Sequence, residues 1–473
     1  MPDPFRRARR DLPDLLAPSD GTAPALRIGG RGHSCGLMRL GSAAVLMLLL
    51  AAAGESAAQS SSDGSLYSRF GIGELQTFSN TQNEALGGAG FGLHSLNYLN
   101  IDNPGTWADQ VLTRASAGFT YQNIRISDAS DAESRLSSGY LNGVQFGFPL
   151  LQQRLGVALG FVPYSRVSYS VVNEGTLYPN APSPDTVGYV VDFTGSGGLQ
   201  QVIGGFGYRF NGNLSAGLSL NGLFGIIDNG RRTSFIESGT APSYAGTNVV
   251  TSTRLRGLTA TAGAYFNVRG VLGEQDYLGI GAAFTLPTTL SGERVNTLGE
   301  QLDRDTLGAV VDGDLDLPWR LGLGLAYHPN ERWTVSAGGQ FAPWSTFQST
   351  LSFPGYDPGA SSALTDRWQL GGGVEFVPAG SDLLASYIAR VGYRAGIGYE
   401  TSYAAPSAGT ELGTLAGTAG LSLPTLISGT RLDLNLQVGR RGTTEDALVR
   451  DVFYRLSVGV NFGERWFQTP RLR

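Results

Sequence analysis

The closing stretch of the chain, Asp451 to Phe462, alternates without interruption. Val452, Tyr454, Leu456, Val458, Val460 and Phe462 form one set, and Asp451, Phe453, Arg455, Ser457, Gly459 and Asn461 form the other. A period of two puts these sets on opposite faces of a β-strand. A soluble sheet covers such an apolar face with a second layer. A membrane barrel turns it to lipid and keeps polar groups toward the lumen.

The same alternation recurs from Thr113 onward. It predicts strands at 113–126, 138–149, 154–171, 186–210, 213–227, 251–268, 275–289, 317–328, 332–347, 366–377, 388–402, 411–421, 431–441 and 451–462. The connections alternate in length. Short ones fall at 150–153, 211–212 and 328–332, and long ones, rich in Ser, Thr, Gly, Pro and Asp, at 172–185, 228–250, 290–316 and 348–365. Bacterial barrels pair short periplasmic turns with long extracellular loops, and an even strand number returns both ends to the periplasm. The strands recur about every 25 residues, whereas a sandwich places turns every 8–12 residues. The expected fold is therefore all-β: an antiparallel transmembrane β-barrel of about fourteen strands, with the first strand closing on the last. Several aromatic residues near strand ends, among them Phe146, Tyr208, Tyr265, Trp333, Trp344 and Phe347, suit interfacial girdles.

Composition agrees with export to a membrane. Charged residues are 15% of the chain, against roughly 25% in soluble domains. The net charge of -5 argues against nucleic-acid binding. The run Met38–Ala53 is apolar behind Arg39, and small residues at Ser56 and Ala58 complete a signal-peptide pattern with cleavage expected after Ala58. Met38 is the expected start, and residues 1–58 are set aside from the fold. The one cysteine, Cys35, precedes the apolar run, so it is not a lipoprotein attachment site, and the mature chain holds no thiol for a disulfide or metal site.

Residues 59–112 lack the barrel pattern. They are rich in Gly and carry Phe70, Phe91, Leu96 and Trp107, apolar surface that favours a hatch in the lumen over a free tail. The expected divisions are thus 1–58 upstream extension and signal peptide, 59–112 hatch, 113–463 barrel and 464–473 periplasmic tail.

Several segments carry a family resemblance. They are Tyr67–Leu75, Ala85–Gly90 followed by Asn103-Pro104, Val162–Tyr164, Leu317–Leu323 leading to Ala342–Phe347, Gly439–Thr443 and Glu464–Phe467. In this order they resemble the FadL-type long-chain fatty-acid and hydrocarbon transporters, in the form common in Bacteroidetes-like bacteria. The resemblance implies a fourteen-stranded barrel with an N-terminal hatch, and an inward kink of the third strand that opens a lateral gap to the membrane. The family's Asn-Pro-Ala is here Asn103-Pro104-Gly105, which predicts a looser hatch turn.

Pro163 falls inside the third predicted strand, where it removes a ladder hydrogen bond and forces a bulge or kink. With Phe161 and Tyr164 it forms the candidate ligand gate. Asn103, Pro104, Gly87, Gly88 and Gly90 are the candidate hatch residues. Arg125, Arg320 and Arg455 are candidate lumenal cations for a ligand carboxylate, and Asp192, Glu375 and Asp433 read as acids lining a solvated lumen. Beyond the leader only His94 and His328 remain for acid–base work, and neither sits beside a serine on an outer wall. No enzyme activity, metal or cofactor is expected.

The expected activity is passive uptake of long-chain fatty acids or other hydrophobic small molecules, with lateral exit through the strand kink. The alternatives are a substrate shuttle of type IX protein secretion and a general porin. Expected partners are the hydrophobic ligand, outer-membrane lipid and the barrel assembly machinery, engaged through the C-terminal strand. The protein is expected to act as a monomer.

Overall fold

The computed structural model describes residues 64–88, 90–177, 187–236, 244–300, 303–359, 364–405, 412–427, 429–446 and 448–465. The expected signal peptide, with its start at Met38 and cleavage after Ala58, and the segment 466–473 lie outside these residues.

Fourteen antiparallel strands close into one barrel. They are β1 Thr113–Ser127, β2 Glu133–Leu151, β3 Leu155–Pro163 resuming at Tyr169–Leu177, β4 Val187–Arg209 and β5 Leu214–Ile236. Next come β6 Thr247–Arg269, β7 Tyr277–Thr285 continuing as Thr288–Glu300, β8 Val311–Leu317 continuing as Arg320–Asn330, and β9 Trp333–Ala342 with Gln348–Ser349. The last five are β10 Arg367–Phe376, β11 Gly392–Thr401, β12 Gly413–Pro424, β13 Arg431–Gly442 and β14 Arg450–Glu464. Closure pairs β14 with β1 along the full length of both, from Thr113↔Glu464 to Ser127↔Arg450.

The register follows the alternation. In β14, Asp451, Phe453, Ser457, Gly459 and Asn461 are buried inside, while Tyr454 and Leu456 are exposed outside. Phe119, Tyr121, Leu159, Val202, Phe206, Leu218, Leu258, Leu323, Leu370, Ile397 and Leu415 extend this outward apolar belt around the wall. So many exposed large apolar side chains suit hydrocarbon, not water. Outward aromatics bracket the belt: Trp333 stacks on Phe376 at the periplasmic rim, and Phe341 packs on Trp368 toward the outer end. Tyr265, Trp344 and Phe347 are buried inside and do not belong to a girdle.

Two expectations about connections are corrected. Within the expected long connections, residues 172–177, 228–236, 247–250, 290–300, 303–306 and 311–316 are strand, because β3 to β8 continue as paired hairpins well above the belt. Their Ser, Thr and Gly content reflects a ladder with water on both faces, where no apolar alternation is needed. Conversely, the strand expected from 388 begins only at Gly392, because the periplasmic connection 377–391 holds a short helix, Tyr387–Arg390.

Residues 64–112 lie inside the barrel. They comprise a turn at Leu66–Arg69, a short strand Glu74–Leu75, helix α1 Thr81–Ala85 and a 3₁₀ turn Pro104–Asp109. Asn80 caps α1, its side chain accepting from the Asn83 N–H at 2.8 Å. In the outer half of the lumen an apolar cluster joins Ile72 to Leu199, Leu223, Leu255, Leu290 and Leu315 of the wall and to Trp344, Phe347 and Phe353 above. Each Leu or Ile buried here contributes about 1.5–3 kcal/mol relative to exposure.

Candidate functional site

The wall is broken between β2 and β3. β2 stays paired with β1 from Arg114↔Gly147 to Ser127↔Glu133, but its ladder to β3 ends at Val144↔Phe161. Beyond that pair, β3 holds only its other neighbour. It stays on β4 as far as Pro163↔Gln200, and rejoins β4 at Tyr169↔Gly195. Pro163 brings no N–H to the ladder, so the strand has no reason to hold its course there.

The intervening residues turn inward. Ser165–Arg166 form a two-stranded ladder with Glu74–Leu75 of the N-terminal segment. The Gln76 N–H donates to Tyr164 O at 2.9 Å. On the β4 side Gly198 has φ +129°, and a Cβ there would sit 2.3 Å from Ser165 O. Only glycine allows the displaced strand so close. Phe161, the last residue of the β2 ladder, faces outward at 41% exposure, and Tyr164 packs against the apolar cluster.

Behind the break lies a cavity of about 920 Å³, open solvent included. Leu75, Phe78, Tyr140, Asn142 and Pro163 bound it on the near side, and Glu84, Gln437, Arg441 and Arg455 on the far side. Its lining mixes charged and polar side chains with apolar ones in equal measure. Glu74 accepts from Arg441 Nη2 at 2.6 Å and Arg455 Nη2 at 3.2 Å. Burial pushes the Glu74 carboxyl up, but the two guanidinium groups more than reverse this and bring it down to about 2. Glu84 meets Arg455 only at longer range, with no ion pair among the described residues. It accepts from Ser457 Oγ at 2.7 Å and Asn435 Nδ2 at 3.0 Å, and burial raises its pKa.

Two contrasting contacts hold the N-terminal segment. On β10 to β14 the contact is a buried polar network. Arg394 donates to Glu375 Oε1 at 2.8 Å, Asp433 Oδ1 at 3.0 Å and the Tyr98 hydroxyl at 2.7 Å. Tyr98 donates to Asp433 at 2.7 Å, Thr81 to Asp433 at 2.8 Å, and Gln82 to Glu375 at 2.5 Å. Asn461 adds a further bond to Asp433 at 2.5 Å. Glu375 and Asp433 are therefore sequestered, not solvated. The side chains of Arg394 and Asp433 are 0% exposed.

On β4 to β6 the contact is backbone against glycine. A Cβ at Gly217 would lie 2.3 Å from Pro104 O, one at Gly207 2.5 Å from the same oxygen, and one at Gly263 2.4 Å from Asn103 Oδ1. Asn103 is fully buried, donates to Phe91 O at 2.8 Å and Ala264 O at 3.1 Å, and accepts from the Gly105 N–H at 3.0 Å. Gly105 does not loosen this turn as expected. A Cβ there would come within 2.8 Å of Ala264, so the wall requires glycine. Trp107 anchors the turn, fully buried among Leu99, Ile101, Ala158, Val162 and Ile203. Gly87 and Gly88 both take positive φ beside the wall, and Gly90 lies against the Asn83 side chain.

The candidate cations divide. Arg455 and Arg320 face the lumen, Arg320 beside both Tyr164 and Asp102. Arg125 does not: it shares the outward parity of Phe119 and Tyr121 and lies exposed 4.0 Å from Glu133. His94 is 3.6 Å from Asp109, but burial lowers its pKa despite that carboxylate, so the ring is neutral near pH 7. His328 ends β8 rather than lying in a turn, stacked on Tyr277 at 4.1 Å. Among the described residues no group of three or more His, Cys, Asp or Glu is placed to hold a metal ion. The sequence reading missed Arg394. Its signal was parity: it alternates with outward Tyr393, Ala395 and Ile397, and Glu375 is its cross-strand partner.

A closed fourteen-stranded barrel with a lipid-facing belt and a folded N-terminal segment inside it is an outer-membrane barrel of FadL-type fold. The crystal structure of a Pseudomonas aeruginosa FadL homologue aligns with a TM-score of 0.52 at 13% identity, over 82% of this chain and 99% of that one. The Ralstonia pickettii toluene transporter TbuX aligns with a TM-score of 0.50 at 16% identity, over 83% and 99% respectively. The sequence model of the BamG family matches residues 42–472, and the chain belongs to that family. No curated protein matches it in sequence.

Proposed function

We propose that this protein is an outer-membrane channel for hydrophobic small molecules, which leave it sideways between β2 and β3. The observation that carries this reading is the ladder that stops at Val144↔Phe161 beside an inward-turned Tyr164–Ser168. The apolar cluster around Ile72 and Trp344 is a capture surface on the outer side. Residues 64–112 close the path to the periplasm, so a solute below that surface meets the wall break before it meets water. The toluene transporter TbuX has this fold. Long-chain fatty acids are the first substrate class to test. Gene deletion is expected to abolish growth-supporting uptake of fatty acids or hydrocarbons. Pro163→Ala, which lets the β3 ladder run on, is expected to lower uptake severalfold. Unchanged uptake after deletion overturns transport; loss after deletion with normal uptake in Pro163→Ala overturns only the lateral route.

A second reading rests on the charged groups in the cavity behind the break, Glu74, Arg441 and Arg455, and on the family name, which suggests barrel assembly. In that reading the barrel is a stationary partner of the assembly machinery. Co-purification of assembly components with tagged protein from native membranes, together with unimpaired uptake in the deletion strain, favours it over transport.

A further inference from the structure

Turns at the periplasmic end of a barrel are ordinarily short. The connection 377–391 is long, and it presents apolar side chains to the outside: Leu384 is 97% exposed, Leu383 82% and Ile388 71%, with Tyr387 beside them. The neighbouring turn 425–430, between β12 and β13, exposes Leu426 and Ile427. The two turns are tied together, since Arg431 Nη2 donates to Arg390 O at 3.2 Å. Leaving such side chains in water is unfavourable.

The patch continues an interface already described. Tyr393, an outward residue at the foot of β11, donates its hydroxyl to Ile388 O at 3.3 Å. Tyr393 pairs across the sheet with Phe376, whose ring stacks on Trp333 at 4.3 Å in the periplasmic girdle. Such aromatics mark headgroup level, so the exposed leucines begin where the lipid belt ends. Leu150 at the end of β2 and Leu272 on the β6–β7 turn are also exposed at this end, elsewhere on the circumference. One protein partner covers one sector, whereas a lipid leaflet meets them all. Arg390 adds a cation 5.9 Å from the Tyr387 ring centroid, the pairing of basic and apolar groups that suits an anionic headgroup layer.

We propose that 377–391, with the 425–430 turn, is an interfacial anchor that sets Leu383, Leu384, Ile388 and Leu426 into the periplasmic leaflet with Arg390 at its phosphates. The test uses the full chain in a Cys35→Ser background, with Leu384→Cys, Leu426→Cys or Ser130→Cys carrying a bimane label. Ser130, on the outer β1–β2 loop, is the exposed control. In phosphatidylethanolamine–phosphatidylglycerol vesicles, lipids with a shallow doxyl group are expected to quench the labels at 384 and 426. Aqueous iodide should quench them severalfold less than the label at 130. Iodide quenching equal to that at 130 overturns the proposal. If labels open to iodide in vesicles become shielded in native outer membranes, a protein covers the patch instead.

Discussion

The N-terminal segment meets the wall in two different ways. Against β10 to β14 it is held by charge: Arg394, Glu375 and Asp433 bonded to Tyr98, Thr81 and Gln82. Against β4 to β6 it is held by the absence of side chains, with the backbone of Pro104 and Gly105 set on Gly207, Gly217 and Gly263. The first contact depends on every member keeping its partner, because a buried charge left alone is costly. The second adds one ion pair, Asp109 with Arg209 of β4, but its close backbone seat tolerates no added atom. One segment is thus seated by shape and latched by charge.

The sharpest way to break this contrast is Arg394→Met. It strands two buried carboxylates and is expected to cost about 3–5 kcal/mol, read as a lower urea midpoint for loss of the heat-modifiable folded band. Adding Glu375→Gln and Asp433→Asn should restore much of the loss. A triple variant as weak as the single one would show that packing, not charge, holds that side. Gly217→Ala is expected to cost about 1–3 kcal/mol by overpacking and to raise conductance in planar bilayers as the Pro104 turn is displaced. No charge substitution should rescue it, and wild-type conductance with an unchanged midpoint would disprove the close seat.

The smallest effect is pH-dependent and belongs to Glu74. Its pKa is depressed from 4.5 to about 2, so its contribution is complete above pH 4.5 and fades as pH falls through 2. The stability difference between wild type and Glu74→Gln should therefore shrink over that window. A difference constant from pH 6 to 2 would mean that the Arg441 and Arg455 pairs add nothing.

Much of the fold was legible in the sequence because a barrel wall obeys a local rule. Alternation in 451–462 gave the lipid face, and it gave fourteen strands and the closing pair near Thr113. The kink was legible through chemistry at one residue, since Pro163 brings no donor to a strand. The hairpins above the membrane were not, because with water on both faces they lose the alternation that marks a strand. Arg125 was placed in the lumen when charge was weighed above parity; its even spacing from Phe119 and Tyr121 already put it outside. The Arg394 network lay beyond local reading, since its members come from 82, 98, 375, 394 and 433 and converge only in three dimensions. The wall glycines Gly207, Gly217 and Gly263 could not be assigned, for the crowding that demands them comes from the Asn103–Pro104 turn more than a hundred residues away.

Closure of β14 on β1 fixes an order of events. Glu375 of β10 and Thr418 of β12 each bond α1, but most of the wall groups that satisfy it come from the last two strands: Asp433 and Asn435 from β13, Ser457 and Asn461 from β14. These are the last parts of the chain to be made, and contacts so distant in sequence are slow to form. The earliest-made segment therefore waits with its polar groups unmatched until the latest strands arrive. Once the ring is sealed the segment can no longer be threaded into it, so the interior must be loaded before the seam is sewn.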